Sequence, residues 1–177
     1  MRNFVFLLPL LAAGCVAPEP QGGAPMPLIG ASGQTVGSVR AWQTAGGVTF
    51  RVEATGLPHG VHGIHVHSVG RCDPPDFTSA ASHWNPLARK HGLSNPQGPH
   101  AGDLPNVEVA ANGVLSTTVT LAGANLFAPP GSPGALLDAD GAALVIHAGA
   151  DDNVTDPSGS SGALIACTVI LRQAEMR

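Results

Sequence analysis

Residues 61–67 read VHGIHVH, and the fold and the candidate site are both organised around this stretch. Polar and apolar residues alternate, which predicts a β-strand, because side chains two positions apart on a strand share a face. His65 and His67 therefore project from one face, while Ile64 and Val66 project from the other into a core. Two imidazoles about 7 Å apart along a strand provide half of a metal site. The same pattern also occurs as a polar, solvated strand face.

Histidine is frequent in this chain, and its distribution favours the metal interpretation. The sequence holds eight histidines, seven of them between His59 and His100. A stretch without hydrophobic periodicity, residues 68–103, contains three imidazoles and a carboxylate: His83, His91, His100 and Asp103. A loop of this length inside a compact domain is usually functional, and something must pin it, because ordering it costs conformational entropy.

The rest of the chain predicts a single all-β domain. With 23 Gly, 16 Pro and 4% aromatic residues, the composition is typical of short strands joined by turns and not of a helical bundle. We predict strands over six further ranges: 35–43, 48–54, 107–110, 113–121, 142–147 and 164–171. Residues 45–47 (AGG) and 112–113 (NG) are hairpin turn signals. Seven or eight short strands without a convincing helix predict a β-sandwich or a Greek-key barrel.

The charge pattern excludes one class of partner. The formal net charge is −4, and no run of Lys or Arg is present. A protein that binds nucleic acid usually carries a basic patch or stripe. We therefore expect no nucleic-acid partner.

The N-terminus predicts export. Residues 1–14 carry Arg2 and then an apolar run that is too short to span a bilayer, as in a signal peptide. Small residues before Cys15 resemble a bacterial lipobox, in which cleavage precedes the cysteine and its thiol is lipidated, although Ala12 stands where Leu is more usual. An ordinary secretory signal with an incidental cysteine is the alternative. We interpret residues 15–31 as a Pro- and Gly-rich tether, in which residues 28–29 could already begin a strand, and residues 32–177 as the domain.

The ligand chemistry separates the candidate residues into two sets. The loop set of three imidazoles and one carboxylate is closed and four-coordinate, which suits structural zinc. His65, His67 and His147 lie on predicted strands that can be neighbours, and with a fourth nitrogen they suit a redox-active copper.

Several motifs together resemble the copper/zinc superoxide dismutase family. They are residues 60–67 (GVHGIHVH), 82–86 (SHWNP), 100–104 (HAGDL), 144–147 (LVIH), 151–152 (DD) and 166–167 (AC). The resemblance extends from about residue 35 to residue 171. It implies an eight-stranded Greek-key flattened barrel, with two long loops that form the metal site. It also implies dismutation of superoxide to dioxygen and hydrogen peroxide, with copper and zinc as cofactors.

Residue by residue, the resemblance assigns these roles. The copper ligands, which would be the catalytic residues, are His65, His67, His83 and His147. The zinc ligands are His83, His91, His100 and Asp103. His83 would bridge both metals as an imidazolate, which metal charge on both nitrogens stabilises. Asp151 matches an outer carboxylate that bonds one copper and one zinc histidine, and His62 matches a structural histidine. Cys72 and Cys167 match the family's disulfide, in keeping with an oxidising compartment.

One position departs from the family. Its members carry an arginine beside the copper, three residues before the cysteine of the last strand, and here that position is Leu164. Copper/zinc superoxide dismutases are a standard example of electrostatic steering, so we expect slower encounter and weak inhibition by small anions. A distant cation, Arg71, Arg89 or Lys90, could fold in to compensate, and the sequence leaves this open.

The sequence leaves alternatives open for the location, the assembly and the activity of the protein. Val16 after Cys15 is not a retention residue of the aspartate kind, so we expect a periplasmic lipoprotein held at the outer membrane through Cys15. The sequence does not choose between a monomer and a homodimer. The alternative functions are a copper- and zinc-binding or copper-buffering module without catalysis, and a structural domain that has lost its metals.

Overall fold

The computed structural model describes residues 23–171 of the chain. This range contains nine β-strands and one short 3₁₀ helix at Thr78–Ala80. The strands are β1 Met26–Gly30, β2 Thr35–Thr44, β3 Gly47–Ala54, β4 Gly60–His62, β5 Ile64–His67, β6 Val107–Val109, β7 Leu115–Ala122, β8 Ala142–His147 and β9 Leu164–Ile170. No helix in the described range has the length and apolar character needed to cross a membrane.

The strands form one large and one small antiparallel sheet. The large sheet has the order β5-β8-β9-β1-β2-β3-β7, and the small sheet pairs β4 with β6. The chain continues from β4 directly into β5, and a tight turn joins β6 to β7, so the small sheet closes the gap between the two edges of the large one. The predicted all-β flattened barrel is confirmed.

Gly63 divides residues 61–67 between the two sheets. We predicted one strand through this stretch, and that prediction is wrong, because β4 pairs with β6 whereas β5 pairs with β8. The Gly63 N–H donates to the Gly149 carbonyl at 2.8 Å, and the Gly63 carbonyl accepts from the His147 N–H at 2.8 Å. These bonds pair the Gly63 backbone with the C-terminal end of β8. The nine observed strands are therefore the implied eight with one of them broken.

The two predicted turns differ in what they connect. Ala45 and Gly46 form a two-residue loop in a regular hairpin, with Thr44 opposite Gly47 in the register of β2 and β3. Gly113, at φ 77°, donates to the Ala110 carbonyl at 2.8 Å and forms the second tight turn. The Ala110 N–H also donates to the Val114 carbonyl at 2.9 Å, so residues 112–113 close a hairpin turn as predicted, but the strands that it joins, β6 and β7, lie in different sheets.

The N-terminal boundary of the domain lies earlier than predicted. Residues 26–30 form β1, which pairs with both β2 and β9, and Met26 and Leu28 are fully buried. The predicted tether through residue 31 is therefore wrong at its C-terminal end. The predicted signal peptide, Cys15 and the first residues of the tether lie outside the described residues.

The barrel has two apolar clusters, and the smaller one packs against the long loop, residues 68–103. The main core fills the barrel and includes Ile64 and Val66 from β5. A smaller cluster packs Phe77 of the loop against Val145 and Cys167 on the outer face of β8 and β9. Cys72 forms a disulfide with Cys167, with their Cα atoms 5.6 Å apart, as the resemblance implied. The loop is thus fastened to the outside of the barrel by both packing and a covalent bond.

Candidate metal centre

The β5 strand presents two histidines on the face opposite the core. His65 and His67 are 0% and 3% exposed, while Ile64 and Val66 pack inside the barrel. The alternative of a solvated polar face is therefore excluded. Burial of two imidazoles requires partners for their polar atoms, because an unpaired buried polar group is costly.

The long loop supplies these partners by running along the free edge of β5. The Val66 N–H donates to the Gly102 carbonyl, and the Trp84 N–H donates to the Val66 carbonyl, both at 2.8 Å. A Cβ atom on Gly102 would lie 2.2 Å from the Val66 carbonyl oxygen, so this approach requires glycine. The pairing sets His83 opposite His67, and Asp103 opposite His65.

Four histidines converge at the first candidate site, which we call the four-histidine group. Its members are His65, His67, His83 and His147. Each histidine offers one ring nitrogen, and these four nitrogens all lie within 4.8 Å of one another. Four buried nitrogens have no hydrogen-bond partner within residues 23–171: Nδ1 of His65 and Nε2 of His67, His83 and His147. Buried polar atoms are nearly always hydrogen-bonded, so four convergent exceptions fit a bound metal ion, and a set of imidazoles suits copper.

The opposite nitrogens of three of these rings are held by acceptors. His65 Nε2–H donates to Asp151 Oδ2 at 2.8 Å, and His67 Nδ1–H donates to the Ala81 carbonyl at 2.8 Å. His147 Nδ1–H donates to the Gly162 carbonyl at 3.2 Å. These bonds fix the tautomers and leave the unpartnered nitrogens with free lone pairs. The sequence could not reveal the two carbonyls, because a backbone acceptor has no residue signature.

The second candidate site, which we call the loop group, lies on the other side of His83. Its members are His83, His91, His100 and Asp103. Asp103 Oδ1 lies 2.9, 3.0 and 3.5 Å from Nδ1 of His83, His91 and His100, and His83 Nδ1 lies 3.3 Å from His100 Nδ1. Ligands about 2.0–2.1 Å from a tetrahedral zinc lie roughly 3.3 Å apart, so this set fits zinc.

Backbone donors orient the carboxylate of the loop group. Asp103 Oδ2 accepts from the Gly92 and His100 N–H groups, each at 2.9 Å. Burial raises the pKa of Asp103, but hydrogen bonds from His83 and Gly92 outweigh this effect and leave the pKa below its usual value. The carboxyl group is therefore ionised, as a metal ligand must be.

Asp151 connects the two groups. Its Oδ2 accepts from His65 and its Oδ1 accepts from His91 Nε2–H at 3.0 Å. Asn106 holds the Asp151 backbone from both sides, at 2.8 and 2.9 Å. Gly159 adopts φ +63°, and a Cβ atom there would lie 1.7 Å from Asp151 Oδ1. Sequence reasoning found Asp151 but missed Asn106 and Gly159, whose roles depend on contacts between distant segments.

Burial keeps His65, His67 and His147 neutral, because it lowers the pKa of each of these three rings. Burial, followed by the proximity of His83, lowers the pKa of His67 to about 3. Burial and the neighbouring His65 lower the pKa of His147 to about 4. The pKa of His65 is also lowered, again mainly by burial. Neutral imidazole is the form that binds a metal, so no proton has to be displaced from these rings near neutral pH.

A pocket of about 440 Å³ opens onto the four-histidine group. His67, His83 and His147 line it, and so does Leu164, the position at which the family has arginine. Two of the three compensating cations that the sequence left open, Arg89 and Lys90, also line this pocket. The third, Arg71, is exposed and pairs with Asp73, and it does not line the pocket.

His59 and His62 stand outside both groups. His59 is exposed. His62 is buried, and its two ring nitrogens lie 2.8 Å from the carbonyl oxygens of His147 and Pro58. His62 therefore ties β4 to the end of β8, in keeping with the structural role that the resemblance implied.

Comparisons with known proteins agree with this geometry. The family model for copper/zinc superoxide dismutase (SODC) matches residues 35–170. "Superoxide dismutase [Cu-Zn] 1" of Aquifex aeolicus is 42% identical over 149 residues, which cover 81% of this chain and 84% of the relative. "Superoxide dismutase [Cu-Zn]" of Caulobacter vibrioides is 42% identical over 139 residues, which cover 78% of this chain and 79% of the relative.

A solved structure shows the same architecture. A superoxide dismutase-like protein from Bacillus subtilis, in a double mutant that replaces a tyrosine and a proline by histidine, superposes with a TM-score of 0.80. It is 40% identical and covers 85% of this chain and 99% of its own. Fold, donor groups and family match agree, and this chain belongs to the copper/zinc superoxide dismutase family.

Proposed function

We propose that this protein is a superoxide dismutase that contains copper and zinc. Copper would be bound by His65 Nδ1 and by Nε2 of His67, His83 and His147, the four buried nitrogens without partners. Zinc would be bound by Nδ1 of His83, His91 and His100 and by Asp103 Oδ1. The observation that carries the proposal is the convergence of these unpartnered nitrogens, which belong to four histidines of which three, His67, His83 and His147, line an open pocket.

Bound copper supplies one-electron chemistry, in which one superoxide is oxidised to dioxygen and a second is reduced, with two protons, to hydrogen peroxide. The protein contributes the positions and the protonation states of the groups around it. His65, His67 and His147 are held by hydrogen bonds from their other ring nitrogens, so their lone pairs have fixed directions. The pocket admits a small anion to this face of the four-histidine group.

His83 has a second role, which follows from its place between the two groups. Its Nδ1 faces Asp103 and His100, while its Nε2 faces the other three histidines and the pocket. Nε2 of His83 would therefore either bind copper or, when it is not bound to the metal, carry a proton beside the substrate that could pass to the reduced product. Asp151 keeps the rings of His65 and His91 at a fixed separation during this exchange.

The test is an assay of superoxide-driven dye reduction with purified, metal-loaded protein. We expect suppression by the loaded wild-type protein and by His59→Ala, which removes an exposed histidine outside both groups. His147→Ala removes one ligand of the four-histidine group alone, so it should lose the activity and retain zinc. Full metal occupancy without suppression of dye reduction would instead support the copper- and zinc-binding module without catalysis.

We also propose that the protein is exported to the periplasm and anchored to the outer membrane through a lipid on Cys15. The support is the apolar run with small residues before Cys15, followed by Val16. Mass spectrometry of the wild-type protein should show cleavage before Cys15 and an acyl mass. Cys15→Ser should release the protein from the membrane fraction and leave the activity of the domain intact. The choice between a monomer and a homodimer stays open, and sedimentation of the folded domain would decide it.

A further inference from the structure

We infer that Arg89 binds the substrate anion at the mouth of the pocket above the four-histidine group. The inference rests on the proposed dismutase function and adds a residue that the family pattern does not supply. Leu164 lines this pocket where an arginine stands in the family, so the usual source of a guanidinium is missing.

Few ionisable side chains other than histidine line the pocket. Arg89, Lys90 and Asp156 are the Lys, Arg, Asp and Glu residues among the described residues that line it. The protein as a whole has a formal net charge of −4, which repels an anion at long range. The local balance of two cations against one carboxylate therefore makes the pocket mouth more favourable for an anion than the average surface.

Lys90 and Asp156 neutralise each other. Lys90 Nζ lies 2.9 Å from Asp156 Oδ2, and Asp156 Oδ1 accepts from the His91 N–H at 2.8 Å. His100 Nε2 lies 3.9 Å from Asp156 Oδ1, on the same side of this carboxylate. The Asp156 carboxylate thereby fastens the loop between β8 and β9 to the backbone at His91. The positive charge of Lys90 is therefore neutralised by Asp156.

Arg89 is the cation that remains. Its guanidinium forms no ion pair or hydrogen bond with any residue of the described range, and the side chain is exposed. Its backbone, in contrast, is fixed, because the Arg89 N–H donates to Asn85 Oδ1 at 3.0 Å and Asn85 Nδ2 donates to the Arg89 carbonyl at 2.9 Å. Arg89 is thus a charged side chain without a partner, on an anchored backbone at the pocket wall.

The chemistry of guanidinium suits this role. It stays charged at all relevant pH values and presents several N–H donors in a plane, which favours contact with two atoms of one small anion. Arg89 reaches the pocket from the long loop, two residues before His91 in the sequence, whereas Leu164 begins β9. The anion is therefore held from the side of the long loop and not from the side of the last strand.

The experiment compares the copper- and zinc-loaded variants Arg89→Ala, Arg89→Gln and Arg89→Lys. Arg51→Ala is the matched control, because Arg51 lies on β3, pairs with Glu53 and does not line the pocket. Azide serves as a small monovalent anion, and its Kd is measured by optical titration of the copper-loaded protein. The ionic-strength dependence of kcat/KM for superoxide is measured on the same samples, after their metal content has been shown to be equal.

We expect Arg89→Ala and Arg89→Gln to raise the azide Kd roughly tenfold, the effect of one charge-assisted hydrogen bond. Both should also flatten the decrease of kcat/KM with salt. Arg89→Lys should keep the salt dependence and lose part of the azide affinity, and Arg51→Ala should match the wild type. Wild-type azide affinity and salt dependence in both neutral variants would overturn the inference. An inactive wild-type protein would refute the proposed function, while the azide titration would still decide the role of Arg89.

Discussion

The four-histidine group and the loop group share His83 but are built in different ways. Three members of the first group, His65, His67 and His147, come from β5 and β8, so the barrel fixes their positions. All members of the second group come from the stretch between residues 83 and 103, which has little regular structure. The barrel thus fixes three of the four members of the first group, whereas the long loop alone positions the second group. This difference decides which changes should damage one metal and which should damage both.

The largest effect should follow from His83→Ala, because His83 is the only residue in both groups. We expect loss of both copper and zinc and loss of dismutase activity, with the barrel still folded. Metal analysis by mass spectrometry and far-UV circular dichroism measure these two outcomes. Normal contents of copper and zinc in this variant would defeat the assignment of His83 as a bridge.

A smaller and more selective effect should follow from His91→Ala. This change removes one ligand of the loop group and one of the two histidines that bond Asp151. Zinc content should decrease first, and copper affinity should decrease less, through the loosened Asp151 contact to His65. Hydrogen exchange should accelerate in residues 82–103 and stay slow in β8. Equal loss of both metals would show that the loop does not order independently of the barrel.

The next largest effect should follow from removal of the disulfide, which should lower the stability of the domain. Cys72 and Cys167 are 95 residues apart in the sequence, so their bond restricts a long loop in the unfolded chain. Replacing both by alanine should lower the free energy of unfolding by roughly 3–5 kcal/mol, as measured by denaturant titration. Thiol titration of the folded, unreduced mature protein should find these two cysteines unreactive. Two reactive thiols under those conditions would contradict the pairing.

The metal-free protein should lose stability in acid because of the four-histidine group. The pKa values of His67 and His147 are about 3 and about 4 in the folded state, below about 6.5 in an unfolded chain. Their contribution is complete above pH 6.5 and is lost as the pH falls toward 4 and 3, because the unfolded chain binds protons first. Thermal unfolding between pH 7 and pH 4 measures this loss. His67→Gln should make the profile shallower, and His59→Ala should leave it unchanged.

The smallest effect should come from Leu164→Arg, which adds a second cation to the pocket. An extra charge about 10 Å from the anion contributes ~0.4 kcal/mol in water, or about a twofold faster encounter. The decrease of kcat/KM with salt should also become steeper. The gain should be larger in an Arg89→Ala background, where the pocket lacks its unpaired cation. No change in either background would mean that steering is unimportant in this protein.

The donor chemistry of both groups could be predicted from the sequence. Imidazole and carboxylate groups are recognisable residue by residue, and the alternation of residues 64–67 sets His65 and His67 on one face by local geometry alone. The structure brings all seven predicted ligands together, together with Asp151, in three overlapping clusters. The turn at residues 45–46 is equally local, because its sequence is sufficient to close the hairpin.

Contacts between distant segments decided the rest. The break at Gly63 depends on Gly149 and His147, more than 80 residues away. The carbonyls of Ala81 and Gly162 orient two histidines without any side-chain signature. Arg89 is one of three cations in the sequence that could have replaced the missing arginine, and only the path of the loop along β5 brings it to the pocket. The sequence by itself therefore determined the ligands and the strand periodicity, which are local properties. The tertiary structure decided their orientation and the charge around them, because these depend on which remote backbone lies next to each side chain.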